Sequence, residues 1–375
     1  MRICVVTESF LPQVNGVANS VRHVVDRLGA TGHQALVVAP GPGPREYAGA
    51  EVVRVRSLAL PGYQEFPLGL PGSAVERAMA RFAPDVVHLA SPVALGVTGQ
   101  RAARRLGVPT VAVYQTDVAG FARHYPHAFM TGHAERVMTR WLARIHRRAD
   151  RNLVPSRASH DQLAALGVTD LHLWRRGVSL DLFDPRRRSP QLRRRWADEG
   201  QVLVGYVGRL AAEKQVHRLA ELADLPGVRL VVVGDGPVRG QLQRMLPGAV
   251  FTGMLRGEEL AAAFASLDVF VHTGENETFC QTVQEAQASG VAVVAPGVGG
   301  PADLVEHGRT GLLHDPAEPD SLRDLVSWAS REPALRMHLA ANARQAVAGR
   351  TWAAVVDELV GHYREVCGQD VARAA

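Results

Sequence analysis

The chain has 375 residues, 46% hydrophobic and 21% charged, with 42 Lys and Arg against 37 Asp and Glu and a formal net charge of +5. That length exceeds what one hydrophobic core ordinarily supports, so two domains are expected, and the composition excludes a disordered or fibrous chain. No apolar run approaches the roughly 20 residues that span a bilayer as a helix, and the three cysteines, Cys4, Cys280 and Cys367, lack paired or metal-type spacing, which excludes a disulfide framework.

The opening MRICVV runs directly into the charged and turn residues of TESFLPQVNG. No secretory signal is therefore expected, and the expected location is the cytoplasm. Ile3 to Thr7, Ala35 to Pro40, Val52 to Val55, Asp85 to Ser91, Thr110 to Thr116 and Asn152 to Pro155 read as buried parallel strands, with helices near 18–29, 74–82, 94–106, 133–149 and 157–166 between them. From Leu171 the sequence WRRGVSLDLFDPRRRSPQLRRRW has neither period and reads as a linker. A second α/β series follows, with strands at 202–208, 229–234, 249–252, 268–272, 291–295 and 311–313. Its helices fall near 215–223, 237–246, 257–265, 278–289, 301–307 and 319–330. Two doubly wound α/β domains are the expectation, with ligands where strand C-termini meet helix N-termini. The apolar stripe Val355, Val356, Leu359, Val360 and Tyr363 marks a C-terminal helix whose packing partner the pattern does not name.

A pI of about 9.5 suits phosphorylated ligands, anionic membranes or nucleic acid, and by itself selects none of them. The only lysine is Lys214. Either a bias toward Arg left one lysine by chance, or a compact ammonium is wanted there as a point charge for phosphate.

The stretch 272–290, HTGENETFCQTVQEAQASG, carries the strongest chemical signal. A strand ending at His272 breaks at Gly274 and Asn276, and a helix is expected from Thr278 to Ser289. Glu277 would stand just before it and Glu285 about two turns inside. The free N–H groups of Thr278, Phe279, Cys280 and Gln281, together with the helix dipole, favour an anion, most simply a phosphate. Arg209 and Lys214 leave the end of strand 202–208 in one loop, where two cations can neutralise a departing diphosphate. The plainer reading of that loop is an Arg209–Glu213 pair in solvent. No His/Cys/acidic cluster at ligand spacing is visible, so no metal is expected.

Other signals are weaker. Asn15 and Gly16 turn into a helix, and Gly16 would let backbone approach a bulky ligand, though a plain strand-to-helix turn explains it as well. The G-D-G at 234–236 reads as a tight turn, and without a full G-x-G-x-x-G pattern it disfavours NAD. Gln115 and Asp117 in YQTD can bind sugar hydroxyls, and Asp117 could be a base or only a cap. His88 reads as a packed histidine. Residues 133–148 align Arg136, Arg140, Arg144 and Arg147 or Arg148 beside Val137, Trp141 and Ile145, a face suited either to an anionic membrane or to ordinary solvent exposure. Nucleic acid is disfavoured because no aromatic platform accompanies these arginines.

Together VNGV, VGRLAAEK, VVVGDGP and Glu277 followed by seven residues and Glu285 resemble the retaining glycosyltransferases of family 4 (GT4), over nearly the whole chain. FLPQVNGV, HLASP, YQTDV, FTG and GENETFCQ bring it nearest to actinobacterial GDP-mannose-dependent α-mannosyltransferases. The resemblance implies a GT-B fold, two facing Rossmann-like domains with a cleft between them. It places acceptor binding at 1–180, joined by a helix 352–370 crossing back, and nucleotide-sugar binding at 181–351. It gives the donor diphosphate to Arg209 and Lys214, the ribose hydroxyls to Glu285 and the transferred sugar to Glu277. The backbone of Phe279, Cys280 and Gln281 would meet sugar and phosphate, and Gly16 the phosphates. Gln115 stands where many members have His, which passes part of the sugar-contacting role to Asp117, and Cys280 stands where many have Gly. The implied function is metal-independent, retaining mannose transfer from GDP-mannose to a lipid or glycolipid acceptor, with peripheral membrane contact. Its alternatives are a UDP-sugar donor, or a non-catalytic protein binding nucleotide sugars or anionic lipid.

Overall fold

A computed structural model describes residues 1–13, 15–60, 63–70, 72–90, 92–115 and 132–369. The chain divides into two compact units, one of Met1–Arg176 with Trp352–Ala375, the other of Gly177–Thr351. No helix among the described residues is long and apolar enough to cross a membrane.

The first unit holds β1 (Arg2–Thr7), β2 (Gln34–Pro40), β3 (Glu46–Tyr47), β4 (Ala50–Val55), β5 (Ser57–Leu60), β6 (Tyr63–Gly69), β7 (Val86–Ala90), β8 (Thr110–Val113), β9 (Arg151–Val154) and β10 (Leu171–Leu173). Eight of these form a sheet in the order β10-β9-β8-β7-β1-β2-β4-β3, parallel except for the β3–β4 pair. Period-two alternation sends Ile3 and Val5 to one face and Cys4 and Val6 to the other. Both faces are covered, which is why the strands read as unbroken apolar runs. Helix Gly16–Ala30 and the C-terminal helix Trp352–Val366 cover the first face through Val21, Val24, Leu28, Val355, Leu359 and Tyr363. Cys4 is sealed inside, and burial pushes its thiol up to about 12, an unreactive structural cysteine.

The second unit holds β11 (Val202–Val207), β12 (Val228–Val233), β13 (Val250–Gly253), β14 (Val269–Val271), β15 (Ala292–Pro296) and β16 (Leu312–His314), all parallel, in the order β13-β12-β11-β14-β15-β16. Again the faces alternate: Leu203 and Val207 lie on one side of β11, Val204 and Tyr206 on the other. The order reverses between β1 and β7 in the first sheet and between β11 and β14 in the second. Loops leaving those strand ends diverge to opposite faces, and ligand sites of such sheets form there.

Four differences from the sequence reading have physical causes. The stretch from Leu171 contains β10 and a helix, Pro190–Trp196, both too short to display a period; the helix begins with Pro190 under a Ser189 cap that accepts from Leu192 N. Helix Pro333–Val347 was hidden because its buried side is only Leu339, Ala343 and Val347. The segment Val216–Leu222 is a 3-10 helix entered through Gln215 at φ +49°. The helix expected from Thr278 begins at Gln281, after Cys280 at φ +80° and ψ +76°, a left-handed residue that cannot continue a helical turn.

Candidate active site

The ends of β11 and β14 carry a cluster of polar side chains in the second unit. Gly208 and Arg209 follow β11, and the backbone then bends through the short turn Ala212–Lys214. Gly234 and Gly236, at φ +139° and +157°, pack against the carbonyls of Gly208 and Leu210, where a Cβ at either position would collide with backbone. The G-D-G motif is therefore a support for the cationic loop. Arg209 donates to Glu213, so the pair of the plainer reading forms, but its carboxylate is buried rather than in solvent.

After β14 the chain returns over Lys214. Thr273 Oγ1 donates to Lys214 O at 2.8 Å, and Lys214 Nζ reaches Glu277 Oε1 at 2.6 Å. His272 Nε2 stands 3.2 Å from the same carboxylate oxygen. A Cβ on Gly274 would sit 3.1 Å from His272 Nε2 and 3.4 Å from Glu277 Oε1, so a glycine lets the strap close. Burial alone would raise Glu277, but Lys214 and His272 outweigh it and hold the carboxyl well below the usual range. Burial likewise works against charge on His272 and Lys214. Cys280 and Glu277 reverse it for the imidazole, and chiefly Glu277 for the amine, so both are raised. The loop is tied down from β15, since Gly300 N donates to Glu277 O at 2.7 Å.

Cys280 is nearly buried, with Sγ 3.6 Å from Thr282 Oγ1, and Phe279 is buried beside it. Gln281 Nε2 donates to Gly177 O at 3.0 Å. Glu285 lies one turn after Gln281 on the same helix face; burial pushes it up to about 8, against the effect of a hydrogen bond from Gln281. In its neutral form it can donate as well as accept.

His272, Glu277 and Cys280 bring one ligand-type atom each within 4.8 Å of one another, the one such trio among the described residues. The expectation that no such cluster exists is thereby corrected: it forms only because the chain doubles back after β14. Its carboxylate already binds an ammonium, which supplies the positive charge a metal would bring, so the trio fits an ion-pair network better than a metal centre.

In the first unit Asn15 caps helix Gly16–Ala30, its Oδ1 accepting from Val17 N and Ala18 N while its Nδ2 donates to Ser9 Oγ. Glu8, raised by burial, accepts from the backbone of Val93, Leu95 and Gly96 at the start of helix Ala94–Leu106. Beside Gly16 lies Arg176: a Cβ at position 16 would be 2.6 Å from its Nη1. Arg176 Nη2 donates to Gln115 Oε1 at 3.1 Å. Asp117 lies outside the described residues.

Two family models match the chain, Glycosyltransferase Family 4 over residues 14–182 and Glycosyl transferases group 1 over residues 189–346. The chain is 52% identical to a GDP-mannose-dependent alpha-mannosyltransferase of Mycobacterium tuberculosis (strain CDC 1551 / Oshkosh), covering 100% of this chain and 99% of the relative. It is 44% identical to one from Corynebacterium glutamicum, covering 98% and 89%. The chain belongs to glycosyltransferase family 4. This glycosyltransferase has the GT-B fold: it matches Anabaena Alr3699/HepE in complex with UDP at a TM-score of 0.79, with 21% identity and coverage of 97% and 100%. It matches a sucrose-phosphate synthase from Thermosynechococcus elongatus at 0.80, with 20% identity and coverage of 98% and 100%.

Of the residues named from sequence, the glycosyltransferase brings Lys214 and Glu277 into direct contact and sets Phe279, Cys280, Gln281 and Glu285 along the strap and helix that follow. Arg209 is in the same loop as Lys214, bound to Glu213. The sequence reading missed His272, taken as a strand end, and Arg176, taken as linker. A His closing an apolar strand before Thr-Gly was the available signal for the first; Arg176 offered none among so many arginines.

Proposed function

We propose that this enzyme transfers mannose from GDP-mannose to a lipid or glycolipid acceptor with retention of configuration, and without a metal. What carries the reading is full-length identity of about half to relatives named as GDP-mannose-dependent α-mannosyltransferases, joined to the Lys214–Glu277–His272 network at the strand-order reversal. The second unit binds the nucleotide sugar and the first the acceptor. Arg209 and Lys214 stabilise the diphosphate as the bond from the anomeric carbon to the phosphate oxygen breaks. Lys214 has three N–H donors, one spent on Glu277, which leaves two for phosphate. Glu277, fixed in its ionised form, accepts from hydroxyls of the transferred sugar and steadies the cationic sugar. It is not a proton donor. Glu285 takes the ribose hydroxyls, and Gly16, Gln115 and Asp117 are the first unit's contacts to phosphate and sugar. The acceptor hydroxyl attacks from the face the diphosphate leaves, and a phosphate oxygen takes its proton, yielding GDP and the mannoside.

Membrane contact is assigned to helix Gly132–His146, where Arg140 and Arg144 are exposed beside Val137 (54%) and Trp141 (40%). Ile145, expected on the same stripe, is buried. The deciding test for the reaction is turnover and thermal stabilisation across GDP-mannose, UDP-glucose and UDP-N-acetylglucosamine, with and without EDTA. GDP-mannose alone should be turned over, equally with EDTA, and NMR should show an α-mannoside. Turnover of a UDP-sugar only, or full activity of both Lys214→Ala and Glu285→Ala, rejects the assignment.

A further inference from the structure

Arg176 belongs to none of the motifs that carry the family resemblance, yet it touches two of the residues singled out at the strand ends of the first unit. Its backbone is placed two residues after Trp174, which is fully buried, donates its backbone N–H to Val154 O at 2.8 Å, and donates through Nε1 to Val355 O at 2.9 Å. From that anchor the nearly buried Arg176 side chain (8% exposed) extends to the start of helix Gly16–Ala30 with one terminal nitrogen and to Gln115 with the other. Those contacts belong to the loops after β1 and β8, strands separated by β7. A planar fork with fixed nitrogen spacing can donate to Gln115 through one nitrogen while the other lies against the turn at Gly16.

Two consequences follow from the chemistry of the fork. Arginine has no acceptor, so the Gln115 atom facing it must be the amide oxygen, and the –NH2 points away from the guanidinium. Gln115 then offers a ligand N–H donors and seeks an acceptor oxygen on a sugar or phosphate. The second consequence concerns Gly16. The missing Cβ leaves room for a guanidinium of the same chain, and a Cβ there would push the Arg176 Nη1 end aside.

We propose that Arg176 is a positioning residue for the reaction, locking the Gln115 amide in its donor orientation and setting the first turn of helix Gly16–Ala30. The proposal rests on the reading that Gln115 and Gly16 face the donor. It is tested with full-length Arg176→Ala, Arg176→Lys, Gly16→Ala and Gln115→Ala and the doubles Gly16→Ala/Arg176→Ala and Gln115→Ala/Arg176→Ala. Steady-state kinetics on GDP-mannose and thermal melting are measured for each.

Arg176→Ala lowers kcat roughly tenfold or more with little change in donor KM, the pattern of lost orientation. Arg176→Lys, which keeps the charge and loses the fork, stays impaired. Arg176→Ala costs less in the Gln115→Ala background than in the wild type, the remainder being its contact at Gly16. Gly16→Ala impairs turnover and melting, and the Gly16→Ala/Arg176→Ala double regains part of both because the collision is relieved. Full rescue by lysine, or single effects that simply multiply in both doubles, overturns the proposal. If wild type turns over no nucleotide sugar, the functional reading fails, and the Gly16–Arg176 coupling in melting temperature still decides the positioning claim: additive shifts reject it.

Discussion

Replacing Lys214 by Ala isolates the central ion pair. At 2.6 Å from Glu277 and with an effective dielectric near 20, the attraction is about 6 kcal/mol before desolvation is counted. Breaking one side of a fully buried pair costs about 3–5 kcal/mol, and the residual exposure of 26% for Lys214 and 15% for Glu277 argues for the lower part of that range, about 3 kcal/mol. For a domain of this size that is roughly 6–12 °C in melting temperature. Much of the loss is Glu277 left with His272 alone, so Glu277→Gln in the Lys214→Ala background should recover about half of it. Differential scanning fluorimetry of wild type, both singles and the double closes the cycle. Activity should behave differently, falling about 100-fold or more in Lys214→Ala with no recovery in the double, because the diphosphate contact is gone. Melting shifts that add within about 0.5 kcal/mol would refute the coupling inferred from the geometry.

Glu285 is raised to about 8 from 4.5, so the folded protein holds this proton more tightly than the unfolded chain, and stability falls as pH rises through that window. Glu285→Gln should flatten the melting-temperature profile between those limits and gain about 2 kcal/mol at pH 8, a value cut from the full linkage for partial exposure, while losing stabilisation by GDP; an unchanged profile contradicts the burial argument. Tyr363→Phe removes the partner of His88 Nδ1, at 2.6 Å, and should destabilise by about 1–2 kcal/mol in thermal melts; no change would mean that bond is not formed. Arg140→Ala/Arg144→Ala/Arg147→Ala should lower sedimentation with anionic vesicles while leaving turnover of a soluble acceptor intact, and equal binding excludes that helix as the contact. Lys214→Arg should restore the melting temperature of Lys214→Ala but not its kcat, and full activity would show that charge alone suffices at this position.

The paired parallel sheets were legible because strands buried on both faces must be apolar throughout, and runs such as RICVVT and RLVVV have no other economical explanation. β10 escaped because LHL is three residues long and only partly buried, and Pro190–Trp196 because four of its seven residues are polar or basic on a chain segment already dense in arginine. The late start of the helix at Gln281 was illegible for another reason. Nothing in TFCQ announces that a cysteine will take a left-handed backbone, since glycine or asparagine is the usual signal. The consequence reaches the chemistry, because Thr278, Phe279 and Cys280 belong to the strap and the helix's own first free N–H is that of Gln281.

Single residues of the site were legible, but their pairing was not. Lys214 stood out as the one lysine and Glu277 as a carboxylate before a helix, yet they lie 63 positions apart and meet only because β11 and β14 are neighbours at the point where strand order reverses. Their meeting answers why a chain rich in arginine keeps an ammonium there. A guanidinium facing Glu277 would settle into a bidentate pair and commit its planar edge to the carboxylate. An ammonium holds one oxygen with one N–H and turns the other two elsewhere. Each cation of the loop already has a carboxylate partner, Arg209 with Glu213 and Lys214 with Glu277. A diphosphate bound there as proposed would therefore meet charge that is largely balanced in advance, beside an imidazole of His272 that is raised by Cys280 and then by the same carboxylate. Lys214 and then His272 keep Glu277 ionised, and under the proposed reaction the two N–H groups of Lys214 not turned to Glu277 are the ones that would meet the leaving group.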